Sequence, residues 1–260
     1  MAMSCPRQNQ QTDDIWRMNN RWAIYIDVEG FSENYEYSED RKTFAILSLA
    51  ELMDSIVKIG TQCFPGDRDK NFSDRLFAHQ FGDGFIICSD FPEQDATRAI
   101  SIAVAIMRHM IIKGYATKAA ISTGDMSDIK GCYPKSVRDT DDGRVYLGMG
   151  LMTIISVMGT ALTKAHKLSS TQKGAVLILD EHLAKLDLPD GIKMKGSSGR
   201  CIDWVYSNLP MSVEIAQSAG LATGNSQTLV EKLSSYCKQE PIPPSSWIEA
   251  TRFMIEEEKA

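Results

Sequence analysis

The fold is decided by the stretch Ala23-Ile24-Tyr25-Ile26-Asp27-Val28-Glu29-Gly30-Phe31-Ser32. Its first four residues are strand formers, and the apolar run ends at a carboxylate, that of Asp27. Gly30 follows three residues later, and glycine lets the backbone turn without steric cost. The stretch therefore predicts a buried strand that ends in an aspartate and is followed by a turn.

A second aspartate stands in the stretch Phe81-Gly82-Asp83-Gly84-Phe85-Ile86-Ile87. Here Asp83-Gly84 separates two short apolar runs, and this pattern predicts a tight β-hairpin. If the fold brings Asp83 beside Asp27, the two carboxylates form a site for one or two Mg²⁺ or Mn²⁺ ions.

Each aspartate also has a purely structural interpretation. An aspartate after a buried strand is often a helix cap or turn former, and Asp-Gly is often only a turn. The two aspartates together, with an amphipathic helical pattern between them, are typical of a nucleotide-polymerising palm or a class III nucleotide cyclase. That combination, rather than either residue alone, directs the functional hypothesis.

The composition is that of an ordinary globular protein. The 260 residues allow one substantial domain with additions, or two small domains. An apolar fraction of 43% and a charged fraction of 24% are typical of this class. The net charge of −6 argues against a broad nucleic-acid-binding surface, although it permits a local basic pocket for a triphosphate.

The cysteines and the amino-terminal residues indicate a cytoplasmic protein without a membrane anchor. The six cysteines are scattered and form no Cys-x-x-Cys pair, which favours reduced thiols over zinc sites or disulfides. The first twenty residues are polar and do not resemble a signal segment. The longest apolar stretch, residues 99–116, is interrupted by Arg108, His109 and Lys113 and is too short to span a bilayer.

Composition and hydrophobic periodicity predict three parts: a flexible polar tail at residues 1–19, a domain at 20–208 and a helical extension at 209–260. Strands are predicted at residues 22–27, 75–80, 85–88, 116–123, 152–158, 175–179 and 201–206. Helices are predicted at residues 41–63, 96–113, 160–171, 227–238 and 247–258. The remaining segments include a polar connector, a charged loop and a mobile loop or dimer arm, at residues 29–40, 67–74 and 125–146.

The order of these elements predicts an α+β fold. Strand, helix, two strands, helix and strand in succession favour a ferredoxin-like βαββαβ core with helices packed mainly on one side of the sheet. Further strands and helices extend this core, and helices finish the chain.

Several segments follow a known order of motifs. The first two are Asp27-Val28-Glu29-Gly30-Phe31-Ser32 and Gly82-Asp83-Gly84. The others are Lys118-Ala119-Ala120-Ile121-Ser122-Thr123-Gly124, residues 156–168, Gly174 and Met194-Lys195-Gly196. Together they resemble the catalytic domain of class III nucleotidyl cyclases over residues 21–207. The two aspartate motifs match the metal motifs of that family.

The chain departs from adenylate and guanylate cyclases where those enzymes contact the substrate. Four residues before the hairpin aspartate they have Lys or Glu, and this chain has His79. The partner position, Asp or Cys in those enzymes, is Ser156. The transition-state Asn and Arg positions hold Thr163 and Lys167, and the position of the triphosphate-binding Arg holds Lys118.

The changed base-reading positions favour a pyrimidine substrate. Histidine and serine can hydrogen-bond a small pyrimidine edge, but they do not reproduce the contacts expected for adenine or guanine. Bacterial pyrimidine cyclases of antiphage defence systems are similar in this respect, so the resemblance implies a uridylate cyclase. A cytidylate cyclase and an adenylate or guanylate cyclase remain alternatives. His79 could instead be a half-buried core residue, and Ser156 a small strand residue.

The resemblance also implies the reaction and its metal ions. The 3′-hydroxyl of a nucleoside triphosphate would attack the α-phosphorus of the same molecule, giving a 3′,5′-cyclic monophosphate and pyrophosphate. Asp27, Asp83 and the carbonyl of Val28 would hold two Mn²⁺ or Mg²⁺ ions. Phe31 and Ser32, in the same motif, would contact substrate.

Cationic side chains would stabilise the charge that develops on the phosphates. Lys118, Lys167 and Lys195 are the candidates, together with the hydroxyl of Thr163. Each lysine could instead be a solvated surface charge, and no separate general base is evident in the sequence.

The resemblance further implies a homodimer with active sites at the interface. One protomer would supply Asp27, Asp83 and Lys118, and its partner His79, Ser156, Thr163, Lys167 and Lys195. The long polar segment at residues 125–146 would reach across to the partner. The product would act as a second messenger that a downstream cyclic-nucleotide-reading effector recognises.

Two other functional classes remain open. One is a non-catalytic cyclase-homology domain that serves as an interaction module; Thr163 and Lys167 favour it, and the two intact aspartates oppose it. The other is a different palm enzyme, either a diguanylate cyclase or a polymerase fragment. The chain lacks a Gly-Gly-Asp/Glu-Glu-Phe run, and this absence argues against a diguanylate cyclase.

Overall fold

A computed structural model describes residues 18–66, 75–89, 96–138, 143–154, 157–186 and 188–256. The side chains of residues 18–20 and 128 are not included. Ser156, the predicted charged loop and most of the predicted amino-terminal tail lie outside the described residues.

The described residues form ten strands and eight α-helices. The strands are β1 (Met18–Val28), β2 (Leu76–Phe81), β3 (Gly84–Ser89), β4 (Thr117–Asp128), β5 (Arg144–Leu147), β6 (Gly150–Thr153), β7 (Val157–Met158), β8 (Leu177–Leu179), β9 (Met194–Lys195) and β10 (Cys201–Ile202). The helices are α1 (Phe31–Tyr37), α2 (Glu39–Gln62), α3 (Thr97–Ile112), α4 (Lys135–Arg138), α5 (Thr160–Ser170), α6 (Pro210–Ser218), α7 (Ser226–Tyr236) and α8 (Ser245–Ile255). Short 3₁₀ turns occur at Lys130–Cys132 and Leu183–Lys185.

The first four strands form the predicted ferredoxin-like core. Their order in the sheet is β2-β3-β1-β4, and each neighbouring pair is antiparallel. Helices α1 and α2 connect β1 to β2, and α3 connects β3 to β4. Beyond β4 the sheet continues with β8, which is parallel to β4, and then β10 and β9. The predicted α+β class and the extended βαββαβ core are therefore confirmed.

Successive side chains along β1 point to opposite faces of the sheet. Trp22, Ile24 and Ile26 are buried in the main core, to which α2, α3 and the carboxyl-terminal helices contribute. Ala23 and Tyr25 point to the opposite face, where they pack with residues of α5. Because Asp27 is two residues beyond Tyr25, it lies on this second face.

Helix α5 is attached to the second face through β4. The Ser122 hydroxyl donates a hydrogen bond to the Ala161 carbonyl at 2.6 Å. Ala161, Leu162 and Ala165 supply the buried side of the helix. The opposite side of α5, with Thr163 and Lys167, is exposed. The helix thus covers part of the face and presents polar residues along its margin.

The predicted polar connector at residues 29–40 is wrong, because it contains α1 and the start of α2. Helix α2 begins two residues before its predicted start. Ser38 caps it by accepting a hydrogen bond from the Arg41 amide at 3.3 Å. Capping by a serine outweighs the high polarity of this segment, which had favoured a loop.

The segment at residues 125–146, predicted to be a mobile loop or dimer arm, contains regular structure over its described residues, and the role as a dimer arm stays a prediction. Strand β4 extends to Asp128, and the 3₁₀ turn, α4 and most of β5 follow within this segment. The single strand predicted at residues 152–158 is two strands, β6 and β7, which pair with different partners. Gly148, with a φ of 67°, forms the turn between β5 and β6.

The carboxyl-terminal helices share the main core. Ile215 from α6, Leu233 from α7 and Met254 from α8 are buried in the same cluster as Ile24. The predicted extension thus packs directly on the sheet and helices of residues 20–208. Within the described ranges, no helix is both long enough and apolar enough to cross a membrane.

Candidate active site

Asp27 lies at the end of β1, between two neighbouring strands. It is opposite Gly84 on β3 and opposite Lys118 on β4. A Cβ atom at Gly84 would lie 2.8 Å from both the Asp27 Cβ atom and the Tyr25 hydroxyl. Glycine is therefore required at position 84 so that the hairpin can approach the aspartate. The hairpin places Asp83 next to the same strand end, as the sequence predicts.

A lysine and two carboxylates form a buried group at this strand end. The Lys118 ammonium is 3.6 Å from Asp27 Oδ2 and 3.4 Å from Glu29 Oε2. The Glu29 side chain is fully buried, and its Oε1 accepts a hydrogen bond from the Gly174 amide at 3.2 Å. Glu29 was missed in the sequence analysis. Its position two residues after Asp27, within the same motif, was the available signal.

Burial disfavours the charged form of both carboxylates. It raises the pKa of Asp27 to about 7; Lys118 opposes this change, whereas the charges of Glu29 and Asp83 add to it. Burial likewise raises the pKa of Glu29, and Lys118 again opposes the change. Burial by itself would lower the pKa of Lys118, but the two carboxylates raise it above its ordinary value. Two carboxylates thus share a single lysine at this strand end, and burial favours their protonated forms.

The donor set of this group fits a cation. Asp27 Oδ1 is buried and accepts no hydrogen bond from the described residues. A carboxylate oxygen in this condition is a suitable ligand for Mg²⁺ or Mn²⁺, and the nearby charge of Asp83 adds to the attraction. Among the described side chains, no cluster of three or more His, Cys, Asp or Glu residues could hold a metal ion. The ligands would thus be the two aspartates with backbone or substrate oxygens.

A cavity of about 320 Å³ lies beside α5, between that helix and the strands β2, β3 and β7. It brings together three predicted site residues, His79, Thr163 and Lys167. Most of its other lining residues are apolar. A mainly apolar cavity with a few polar groups is typical of small-molecule sites.

His79 has an unsatisfied nitrogen. Its Nε2 atom is buried and has no hydrogen-bond partner among the described residues. Burial lowers the pKa of His79, which favours the neutral imidazole. A neutral imidazole has one donor and one acceptor nitrogen, so a ligand in the cavity could complete its hydrogen bonding.

Aromatic rings next to His79 form a second feature of the cavity that the sequence analysis missed. His166 packs edge-on against Tyr25, with ring centroids 5.0 Å apart, and against Phe81 at 5.1 Å. Phe81 is 49% exposed. Exposed rings of this kind can stack on a planar base. The helical spacing of His166 from Leu162 was the only signal in the sequence.

Thr163 and Lys167 are available at the mouth of the cavity. The Thr163 hydroxyl donates within its own helix, to Gly159 at 3.2 Å and Thr160 at 3.3 Å. Its oxygen can still accept a hydrogen bond. Lys167, in the last turn of α5, has an exposed side chain. The positions are compatible with the predicted contacts, which remain untested.

The remaining predicted residues differ in their surroundings. Phe31 stacks on Tyr35, with centroids 5.7 Å apart, and Ser32 is exposed in the first turn of α1. Val28 is the last residue of β1 and pairs with Thr117. Val28, Phe31 and Ser32 thus lie at the end of β1 and the start of α1, and their roles at the site stay predictions.

Lys195 is not near the cavity residues. It is 1% exposed, and its ammonium donates to the carbonyls of Phe253 at 2.7 Å, Met254 at 3.0 Å and Glu256. Asp203 lies 4.0 Å away. Lys195 therefore holds the carboxyl end of α8, where a cation complements the helix dipole. A contact with a triphosphate would require these hydrogen bonds to break.

No family model matches the chain, and no curated protein matches it. Among solved structures, it is similar to the crystal structure of a class III adenylyl cyclase-like ATP-binding protein from Pseudomonas aeruginosa. The sequence identity is 13% and the TM-score is 0.41. The similarity covers 86% of this chain and 44% of that protein, so the chain spans less than half the neighbour's length. A similarity this weak assigns neither a family nor an activity.

Proposed function

We propose that this protein is a metal-dependent nucleotide cyclase. The observation that supports the proposal most directly is the group at the end of β1. There Asp27, with an unpartnered buried oxygen, lies beside the Asp83 hairpin. The reaction would form a bond from the 3′-oxygen to the α-phosphorus and break the α-phosphorus bond to pyrophosphate. The hydroxyl proton would pass to solvent or to a phosphate oxygen.

Asp27 and Asp83 would hold the Mn²⁺ or Mg²⁺ ions in this proposal. When bound, these ions would lower the pKa of the 3′-hydroxyl and neutralise phosphate charge. Lys118 would release Asp27 and turn towards the phosphates, while Glu29 keeps it near the strand end. Lys167 would stabilise charge on the transition state.

The cavity beside α5 would receive the base. His79 offers one donor and one acceptor, and the exposed ring of Phe81 offers a stacking surface. A pyrimidine edge matches this small set of polar groups. UTP is therefore the favoured substrate and CTP the alternative, with ATP and GTP less well matched.

A homodimer would complete the active sites. The hairpin of β5 and β6 presents apolar side chains to solvent; Met149 is fully exposed and Tyr146 is 78% exposed. Leu147 and Leu151 are exposed on the same hairpin. An apolar patch of this kind is typical of a protein interface. A second copy of the chain is the proposed partner, and β5 falls partly within the segment predicted to be a dimer arm.

The resemblance to antiphage pyrimidine cyclases supports a role as a signalling enzyme. In that role the cyclic nucleotide is a second messenger for a separate effector.

One observation favours a non-catalytic domain. Lys118 already pairs with Asp27 and Glu29, so the carboxylate group is partly neutralised without a metal ion. In this alternative, the group stabilises the fold and the chain serves as an interaction module.

Incubation with substrate distinguishes the two functions. Purified protein is incubated with ATP, GTP, CTP or UTP and Mn²⁺, and the products are identified by mass spectrometry. We expect cyclic UMP and pyrophosphate from UTP. Failure to form any cyclic nucleotide, from a folded dimer with all four substrates, would favour the non-catalytic domain.

His79→Ala should change substrate preference more than stability. The substitution removes the polar contact at the base, so the ratio of kcat/KM for UTP to that for ATP should fall about tenfold or more. His166→Ala is the matched control, because it lines the same cavity without an unpartnered buried nitrogen. An unchanged preference together with a lower Tm in His79→Ala would assign His79 to the core.

A further inference from the structure

A second cavity, of about 350 Å³, lies between α1 and the segment that connects α7 to α8. It shares no residue with the cavity that contains His79. Its walls include three aromatic side chains, those of Tyr37, Tyr236 and Trp247. We refer to it as the α1 cavity.

Two carboxylates from α1 line the α1 cavity. Glu33 and Glu36 are exposed there, and no lysine or arginine among the described residues lines the cavity or pairs with either carboxylate. The aromatic faces add further negative potential, since the ring quadrupole is negative above the ring. The carboxylates that line the cavity favour cations over anions; the nearest positive groups are Arg41, which donates to Asn34 at 2.8 Å, and Lys173 beside the Trp247 ring, and neither is among the described lining residues.

Tyr236 provides an independent sign of a missing partner. The residue is 4% exposed and lines the cavity, yet its hydroxyl has no hydrogen-bond partner among the described residues. Leaving a buried hydroxyl without a partner is destabilising. Burial, and then the charges of Glu29, Cys237 and Glu33, raise the pKa of Tyr236, so the hydroxyl stays protonated.

We propose that the α1 cavity binds a small organic cation that carries N–H groups, such as an alkylamine or an alkylguanidine. Glu33 and Glu36 would supply the counter-charge, and the rings of Trp247 and Tyr37 would supply cation–π contacts. The Tyr236 oxygen would accept an N–H hydrogen bond. Trp247 already has a cation near its ring, because the Lys173 ammonium is 5.8 Å from the ring centroid.

The chemistry of the cavity argues against other ligands. A nucleotide phosphate would meet two carboxylates, with no positive side chain among the described lining residues. A divalent metal ion would have two exposed carboxylates but none of the additional close ligands that it requires. Aromatic walls contribute nothing to the binding of a phosphate group or a divalent metal ion. They contribute directly to the binding of an organic cation.

The site is next to the loop that follows Asp27. Gly30 lines the cavity and adopts a φ of 76°, and a Cβ atom there would lie 3.3 Å from the Trp247 ring. Glu29 precedes Gly30 and pairs with Lys118. A bound cation would thus lie one residue from the carboxylate group of the proposed active site. Binding itself is independent of any cyclase activity.

Calorimetric titration of the full chain tests the proposal. The probes are agmatine and putrescine, with choline as a cation without N–H groups and pentanol as a neutral molecule. We expect agmatine and putrescine to bind in the millimolar range or tighter. Choline should bind more weakly, and pentanol should give no binding heat. Absence of heat from both amines at millimolar concentration would overturn the proposal.

Three variants locate the site. The double change Glu33→Gln and Glu36→Gln should weaken amine binding about tenfold or more, because it removes the counter-charge. Tyr236→Phe should weaken amine binding but leave choline binding unchanged. Glu39→Gln, an exposed glutamate at the start of α2 outside the cavity, is the control and should bind normally. Wild-type affinity in the double variant would place the amines elsewhere and refute the proposed site.

Discussion

Asp27→Asn should abolish nucleotide turnover and at the same time raise the thermal stability of the protein. The loss of turnover should be on the order of a thousandfold or more, because the substitution removes a metal ligand that acts at the reacting phosphate. The gain in stability follows from the burial of this carboxylate. Opposite changes in the two properties are the signature of a residue kept for function.

The stability change has a defined pH dependence. Burial raises the pKa of Asp27 to about 7 in the folded protein, whereas the unfolded chain has the ordinary value near 4. Between these values the folded state binds more protons than the unfolded state. Its stability therefore falls as pH rises through this window and levels off above it. The Tm advantage of Asp27→Asn should accordingly grow from pH 4 to pH 7 in metal-free buffer.

Addition of Mn²⁺ should raise the Tm of the wild-type protein above that of Asp27→Asn, which reverses their order in metal-free buffer. A cation that binds only the folded wild-type protein raises its Tm by mass action. Asp27→Asn, which lacks the ligand, should not respond. A wild-type Tm that is insensitive to Mn²⁺, or an Asp27→Asn variant that keeps substantial activity, would contradict the metal assignment.

Asp83→Asn separates catalysis from burial. Asp83 is partly exposed on the hairpin turn, so its replacement should also abolish turnover but without the stability gain of Asp27→Asn. Asp190→Asn is the control, because this exposed aspartate lies in a turn far along the chain. It should leave both turnover and Tm unchanged.

The sequence predicted the core of the fold because its signals are local. The apolar run before Asp27 and the Asp83-Gly84 turn each depend on neighbouring residues only. Their meeting follows from the order of strands and helices in a βαββαβ unit. The pairing of Asp27 with Gly84 could therefore be anticipated without any knowledge of side-chain packing.

The parts that were not predicted depend on contacts between distant segments. Lys195 resembles a phosphate-binding lysine in its local motif, but the carbonyls that surround it come from residues near 254, about sixty positions later. Glu29 is buried because the Gly174 amide and Lys118 reach it from other parts of the chain. His166 becomes a cavity residue only because α5 packs beside Phe81. No local pattern contains this information.

Two inactive variants should restore activity when they are mixed, if the active sites are shared between protomers. In the proposed homodimer, Asp83 of one protomer acts with Lys167 of the other. A heterodimer of Asp83→Asn and Lys167→Ala then has one site with both substitutions and one site with neither. A purified heterodimer should therefore recover about half of the wild-type activity, and an equimolar random mixture about one quarter.

The arrangement of the chain makes this experiment informative. His79 on β2 and Asp27 on β1 are separated by β3, which places them about 10 Å apart across the sheet. A nucleotide could in principle bridge this distance within one protomer. In that case each protomer carries a complete site, and mixing two inactive variants restores nothing.

A matched control distinguishes the two arrangements from a failure to exchange subunits. Asp27→Asn mixed with Asp83→Asn places both substitutions on the same half of the shared site, so every site in a heterodimer is damaged. This mixture should stay inactive while the Asp83→Asn and Lys167→Ala mixture recovers. Mixed dimers are demonstrated by native mass spectrometry of tagged chains. If mixed dimers form and the mixture of Asp83→Asn with Lys167→Ala remains inactive, the active site is not shared in this way. The apolar hairpin of β5 and β6 would then serve another interface.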